Sequence, residues 1–546
     1  MNHTRKLGVS FGAILLTSAR LFAQDANEDA RFQAGDAAVG DRFGFDVALD
    51  GERALIGVIF DDQPSKIDAG SARILERQVS GAWTQVANLL AFDAFAGDQF
   101  GYSVALDGDR AIVGSPQDDD KGSASGSAYV FERQSGGSWV LASKLVAADG
   151  AIGDFFGRAV AIDGDRVMVG SVLDDDGAGN AGSVYVYERS IGGTWSFVQK
   201  LVAPSPEADA RFGVELALDG DRAAIGATLD DEAALDGGEV YVFEHGFGGW
   251  SEVAELVAPD AAPSDEFGEA LALVGDRLIV GVRKDDDGAI DAGSARVFER
   301  GAGGVWSEVA ALRASAPVAG VLLGSSVALE GERAVVGATS EGSLPAAAGR
   351  ALLFTRESAT VWHETAVLAP SVGSNGALFG QAAALSNGRA LISADQDDVG
   401  ATNAGAAMVF EIGSLLHGAP TISLASGGAS ALLVRAGPAR AGDLYVMFGS
   451  LAGTSPGTVE PVSGLTLPLV YDAYTAFLIA NWGGGLVAPW FGLLDAHGAA
   501  NAVFAVPAGT NASFAGITVH HAALLVDLSS FLAVEATNAA AVKLVP

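Results

Sequence analysis

The sequence predicts an all-β chain: a seven-bladed β-propeller followed by a small β-sandwich-like domain. Three observations point there. The dipeptide Phe-Gly recurs at Phe43, Phe100, Phe156, Phe212, Phe267 and Phe379, and Leu323-Gly324 fills the remaining slot, so the steps are 57, 56, 56, 55, 56 and 56 residues. Each interval carries four short strand signals divided by turn residues. Long amphipathic helical periods are absent, which excludes the helical solenoids. A unit repeated seven times cannot bury its apolar face alone; stacked copies supply the core. Four short antiparallel strands per unit suit a propeller better than a sandwich or a β-helix.

The second unit, Phe100 to Gly150, shows the elements in order. Ser103 to Leu106 is the first strand. Asp107-Gly108 follows as a tight hairpin turn, because Gly accepts the positive φ that such a turn needs. Ala111 to Val113 is the second strand, and a polar loop runs from Asp118 to Gly126. Tyr129 to Phe131 is the third strand, rich in aromatic and β-branched residues. Gly136-Gly137 turns the chain into the fourth, Trp139 to Val146. Trp83, Trp139, Trp195, Trp250, Trp306 and Trp362 mark this strand in six units, a register that reads as packing between blades. The seventh unit ends near Ile412 with no such strand after it. Phe32-Gln33-Ala34 precedes Phe43 as Leu145-Val146-Ala147 precedes Phe156. Residues near Asp29 to Ala34 are therefore expected to supply the missing outer strand and close the ring, which removes two exposed sheet edges.

These units resemble the FG-GAP repeats of integrin α-subunit propellers and their bacterial relatives, from Glu28 to Ile412. The Gly-Ala-Pro element is degraded: Gly114-Ser115-Pro116 is nearest, and Gly57-Val58-Ile59 and Gly226-Ala227-Thr228 are typical. The resemblance implies a seven-bladed propeller whose usual work is non-catalytic binding. Such repeats often hold Ca²⁺ in a longer Asp-rich loop between the first two strands. Here that position is only Asp107-Gly108-Asp109-Arg110 or Asp163-Gly164-Asp165-Arg166. Four residues close a hairpin but cannot wrap a six- to eight-coordinate ion, so that site is expected to be lost.

The acid is patterned elsewhere. The loop between strands two and three carries Asp61-Asp62, Asp118-Asp119-Asp120, Asp174-Asp175-Asp176, Asp230-Asp231-Glu232, Asp285-Asp286-Asp287 and Asp397-Asp398, with Ser340-Glu341-Gly342 in the sixth unit. Equivalent loops fall on one rim. Clustered carboxylates are hard oxygen ligands of the kind Ca²⁺ takes. The candidate metal residues are Asp118, Asp119 and Asp120; Asp174, Asp175, Asp176 and Asn180; and Asp285, Asp286, Asp287 and Asp291. The alternative is a set of solvated turns whose Asp side chains accept backbone N–H bonds. An Arg recurs in every first turn (Arg53, Arg110, Arg166, Arg222, Arg277, Arg333, Arg389) and reads as a partner for nearby carboxylates.

A net charge of −35 argues against nucleic acid, whose phosphates would be repelled. It suits a secreted protein that binds cations or lives in salty water, and like-charge repulsion favours solubility. Gly is 72 of 546 residues, as turn-rich β architecture requires. There is no Cys, so neither a disulfide framework nor a thiolate metal site forms. Residues 1–23 read as a secretory signal peptide: Arg5 and Lys6, the apolar stretch Leu7 to Thr17, and cleavage after Ala23. The stretch is too short to span a membrane. The expected location is outside the inner membrane: extracellular, cell surface or periplasmic.

The propeller is expected over 24–414, a linker over 415–420, and a second domain over 421–546. In the last, Ala431 to Val434, Leu444 to Phe448 and Gly516 to Val526 read as strands of a β-sandwich. Gly442–Gly457, Gly492–Gly509 and Gly516–Asp527 resemble a C-terminal module of large exported bacterial proteins. Gly453-Thr454-Ser455-Pro456-Gly457, then Asp495 and His520, has the chain order of a hydrolase triad. Pro456 has no N–H to offer an oxyanion, which argues against it. His520 and His521 are adjacent on a strand and point to opposite faces. No catalytic residue is expected, and no cofactor other than Ca²⁺. The expected function is a secreted or cell-surface binding or adhesion propeller that engages an extracellular protein or glycan. A structural envelope component anchored by its C-terminal domain is the alternative, and an extracellular polysaccharide-acting enzyme the weaker one. The sixth unit departs from its siblings by losing acid, which would suit a subunit or domain contact.

Overall fold

The computed structural model describes residues 28–412 apart from 79, 340–347 and 374–375, together with strand segments at 24–26 and beyond 412. Four-stranded antiparallel sheets follow one another around a ring. Blade one runs Phe43–Asp50, Arg53–Val58, Ser71–Arg77 and Trp83–Leu89. Blades two to five repeat that order, with inner strands Val104–Asp107, Phe156–Asp163, Leu216–Asp219 and Leu271–Val274. Blade six begins at Leu323–Glu330 and ends at Val361–Leu368. Blade seven contributes Ala383–Ser386, Arg389–Ala394 and Ala406–Glu411.

Its fourth strand comes from the other end of the ring. Glu28–Phe32 lies antiparallel to Ala406–Glu411, with Phe32 opposite Ala407. This is the closure expected from Phe32-Gln33-Ala34. Phe43 N–H adds a bond to the Ala404 carbonyl at 2.8 Å. Gln24–Ala26 adds something the sequence did not reveal: a fifth strand, parallel to Val361–Leu368 of blade six.

The repeated dipeptide has a steric cause. Phe100 and Phe156 are fully buried. Phe156 packs among Ile112 and Val130 of blade two and Val169 and Tyr185 of blade three, so it is a wedge between blades. Leu323 fills the same place in blade six. The following Gly has no room for a side chain. Gly101 has φ 99°, and a Cβ there would meet the Ser71 carbonyl of the preceding blade at 2.3 Å. The degraded second element has the same logic. A Cβ on Gly57 would lie 2.0 Å from the Gly101 carbonyl. Ser393 takes the Gly place in blade seven, and the residue after it is fully buried and small or β-branched in every blade: Val58, Ser115, Ser171, Ala227, Val282, Ala338 and Ala394. The Trp series serves the core as well: Trp195, Trp250 and Trp306 are buried in the layers between blades.

Beyond Ile412 the described elements are strands, among them Gly428–Arg435 against Ala499–Val506 and Leu444–Ser450 against Thr518–Asp527. The signal segment, the linker around Gly418, the turn Gly453–Gly457, Asp495 and the loop from Ser340 to Ala347 lie outside the described residues. Among the described residues no helix is long and apolar enough to cross a membrane.

Candidate functional site

Antiparallel blades give the ring two unlike faces. One carries the hairpins between strands one and two, where each Arg lies. Arg53 pairs with Glu76 of its own blade at 3.0 Å and donates to the Gly108 carbonyl of the next at 2.6 Å. Arg110 does the same towards Gly164, and Arg166 towards Gly220. Arg389 of blade seven reaches Glu52 of blade one at 3.0 Å, which carries this belt across the closure. The arginines are carboxylate partners, as the sequence suggests, and they also tie each blade to the next.

The other face carries the Asp loops, built on one plan. The first Asp is buried and accepts a bond from the N–H two residues on: Asp118 from Asp120 at 3.0 Å, Asp174 from Asp176 at 2.9 Å, Asp285 from Asp287 at 2.7 Å. The second Asp accepts from the N–H five residues on: Asp119 from Ala124, Asp175 from Asn180 and Asp286 from Asp291, each at 2.8 Å. Those three acceptor loops bend through a left-handed residue, with φ of 52°, 54° and 49° at Ala124, Asn180 and Asp291. The Asn180 side chain donates to Asp209 at 2.7 Å.

The remaining oxygen of the buried Asp meets a protein cation. In blade two Asp118 accepts from Ser127 at 2.8 Å and Tyr129 at 2.9 Å, and Lys144 lies 2.9 Å away. Lys144 also reaches Asp120 at 2.6 Å and Asp93 at 2.8 Å. Blade three repeats this with Ser183, Tyr185 and Lys200 around Asp174, and Lys200 also pairs with Asp176. Burial works against ionisation of Asp118, yet the bonds from Lys144 and Ser127 hold it below the usual carboxylate range. Asp174 behaves alike under Lys200. In blade five Arg296 bridges Asp285 and Asp260, both at 2.8 Å, and Arg313 holds Asp287. Blade one uses Arg73 on Asp61 at 2.7 Å, and blade seven uses Arg31 on Asp397 at 2.7 Å.

On the same face the axis opens through a mouth that the sequence reading missed. Two residues after each Phe-Gly start, neighbouring blades present Phe45, Tyr102 and Arg158. The Phe45 and Tyr102 rings are 4.7 Å apart, and the Arg158 guanidinium sits 4.7 Å over Tyr102. Beside this row lies a cavity of about 230 Å³ lined by Tyr102, Pro116, Gln117, Phe155, Arg158, Val172, Leu173, Arg211 and Val214. Carboxylates crowd the axis. Asp46 of blade one accepts from Val104 N–H at 2.7 Å, and burial pushes its carboxyl up to about 6. Glu215 of blade four is raised well above the usual range by burial and by the charge of Asp46, against the pull of Arg158.

Strained backbone recurs with the blades, and two of the residues that carry it, Phe155 and Arg211, line the cavity. The residue before every Phe-Gly or Leu-Gly is left-handed: Arg42, Gln99, Phe155, Arg211, Glu266, Leu322 and Leu378, with φ of 57°, 57°, 54°, 63°, 55°, 55° and 55°. Each costs on the order of 1 kcal/mol for a residue with a Cβ. Such strain concentrates where side chains are presented to a ligand. The available signal was variation: Phe-Gly recurs in six of seven units, whereas the residues before and after it change from blade to blade.

Seven four-stranded blades wedged by Phe-Gly, with one acidic face around an axial mouth, define a repeat propeller. The FG-GAP repeat model matches residues 26–74, 83–131, 139–187, 195–243, 250–298 and 362–410, more than half of the chain. The protein belongs to the FG-GAP repeat family. The unmatched unit is the sixth, where Leu323 replaces Phe. No curated protein is similar to the chain. Similar solved structures include a GH32 beta-fructofuranosidase of Bombyx mori, at 11% identity and TM-score 0.28, covering 65% of this chain and 88% of that one. An exo-inulinase of Aspergillus awamori has 10% identity and TM-score 0.28 over 92% and 89%. An alpha-L-arabinofuranosidase of Clostridium thermocellum has 11% identity and TM-score 0.23 over 49% and 92%. A likeness this distant carries no argument about activity.

Proposed function

We propose that the protein is a non-catalytic binding propeller that takes a protein or glycan on its acidic face, at the axial mouth. The observation that carries this reading is the row Phe45–Tyr102–Arg158 beside the cavity. Aromatic faces and a guanidinium offer flat apolar contact together with hydrogen-bond donors. A volume of about 230 Å³ is below the usual 300–1,000 Å³ of small-molecule pockets. It suits one sugar ring or one side chain of a larger ligand. Secretion through residues 1–23, a propeller over 24–414 and a separate domain over 421–546 belong to the same proposal. At the loops of Asp118, Asp174 and Asp285 the buried carboxylate is already neutralised by Lys144, Lys200 or Arg296, which a Ca²⁺ ion has to displace.

The test is to probe arrays of polysaccharides and extracellular proteins with the labelled full chain, beside Tyr102→Ala and Arg158→Ala. Saturable binding that both variants lose, with unchanged melting, supports the reading. Failure to bind any array member, or binding that neither variant alters, overturns it. One rival is an extracellular polysaccharide-acting enzyme, for which Asp46 and Glu215 would be the carboxyl pair to test. Turnover of an array polysaccharide that Glu215→Gln abolishes would establish it.

A further inference from the structure

Blade four breaks the charge plan of its siblings. Its buried Asp230 keeps the two usual bonds, from Glu232 N–H at 3.1 Å and from the Tyr241 hydroxyl at 3.0 Å. The other partners are reversed in kind. Glu239 pairs with Ala227 as Ser127 pairs with Ser115, so it stands in the place of the serine donor. Glu255 pairs with Tyr241 as Lys144 pairs with Tyr129 and Lys200 with Tyr185, so it stands in the place of the ammonium. A donor and a cation have both become carboxylates.

Glu239 is 1% exposed, and neither of its carboxylate oxygens has a hydrogen-bond partner. The hydroxyl of Tyr241 is already given to Asp230. An ionised carboxylate in that position is costly unless a positive charge neutralises it. One oxygen each from Glu232, Glu239 and Glu255 lies within 4.8 Å of the others. Oxygens on opposite sides of a calcium ion are about 4.6–5.2 Å apart, since each bond is about 2.3–2.6 Å. Glu232 and Glu255 are exposed, so the group opens to solvent, which admits an ion and completes its shell with water.

We propose that blade four binds a divalent cation of the calcium type, with Glu239 as its buried ligand and Glu232 and Glu255 at the mouth. The ion takes the place that Lys144 and Lys200 fill in blades two and three. The inference does not rest on the ligand reading of the axial mouth.

Calorimetric titration of Ca²⁺ into the full chain tests it, beside Glu239→Gln and the double variant Glu239→Ser, Glu255→Lys that rebuilds the sibling pattern. The wild type should show one saturable event at blade four. The double variant should lose it and melt, without Ca²⁺, at or above the temperature of the Ca²⁺-loaded wild type. Glu239→Gln, which keeps the side-chain volume, should weaken binding at least tenfold. No saturable heat in the wild type would mean that a proton shared by Glu239 and Glu255 balances the charge, and would overturn the proposal. Undiminished binding in either variant would overturn it as well.

Discussion

Glu255 stands opposite Tyr241 in the register that sets Lys144 opposite Tyr129. Two substitutions, Glu255 in the place of Lys144 and Glu239 in that of Ser127, separate a blade that is neutralised internally from one that is not. Lys144 is the partner of three carboxylates, Asp93, Asp118 and Asp120, and Asp118 is buried. Lys144→Ala leaves that cluster uncompensated. The expected loss is about 3–5 kcal/mol, the range for breaking a buried pair by removing one partner. Urea unfolding measures it. Calcium should then restore part of the loss, because Asp93, Asp118 and Asp120 are left together without a cation; a variant insensitive to calcium would contradict this.

Removal of Asp25 to Gly35 should open the ring. It strips Glu28–Phe32 from Ala406–Glu411, leaves two sheet edges exposed and takes Arg31 from the buried Asp397. A lower melting temperature and concentration-dependent association are expected. Melting and light scattering check both, and an unchanged melting temperature would refute closure by this strand.

Two glycines should respond differently to alanine. At Gly57 the added Cβ meets the Gly101 carbonyl at 2.0 Å, a backbone atom of the next blade that cannot move alone. A loss of about 3 kcal/mol is expected for such overpacking. At Gly108 nothing lies within 4 Å, and only the φ of 55° is unfavourable, which costs about 1 kcal/mol. Denaturant midpoints of the two variants should fall in that order.

Asp395 sets a pH dependence. It is 1% exposed, one of its oxygens has no partner, and Arg42 is 3.7 Å away. Burial pushes its carboxyl from 3.8 up to about 6. A folded-state value above the unfolded one means that the native state holds the proton more tightly. Its contribution to stability is therefore full below pH 4 and is lost as pH rises through about 6. Asp395→Asn should match the wild type near pH 4 and exceed it at pH 8 by up to about 3 kcal/mol. Stability curves of the two proteins that run parallel from pH 4 to 8 would contradict this.

Much of this molecule could be read before folding. The seven units, the closing strand and the Arg partners follow from residues that recur at one step, because each obeys a constraint that every blade shares. What escaped depends on comparison between blades after they are assembled. Phe45, Tyr102 and Arg158 are more than fifty residues apart in the chain and meet only because inner strands converge on one axis. Glu239 and Glu255 are ordinary surface types for strands; their meaning appears when pairing sets them beside Ser127 and Lys144. Attention to the Asp loops pointed to units two, three and five, whereas the decisive changes in unit four are a lost serine and a lost lysine on its two outer strands.

The most direct measurement is anomalous diffraction from crystals of the full chain soaked in terbium, a trivalent substitute for calcium. The strongest peak should lie among Glu232, Glu239 and Glu255 of blade four. Peaks at Asp118–Asp120 and Asp174–Asp176 with nothing at Glu239 would contradict the account, because the ion would then prefer sites that Lys144 and Lys200 already neutralise.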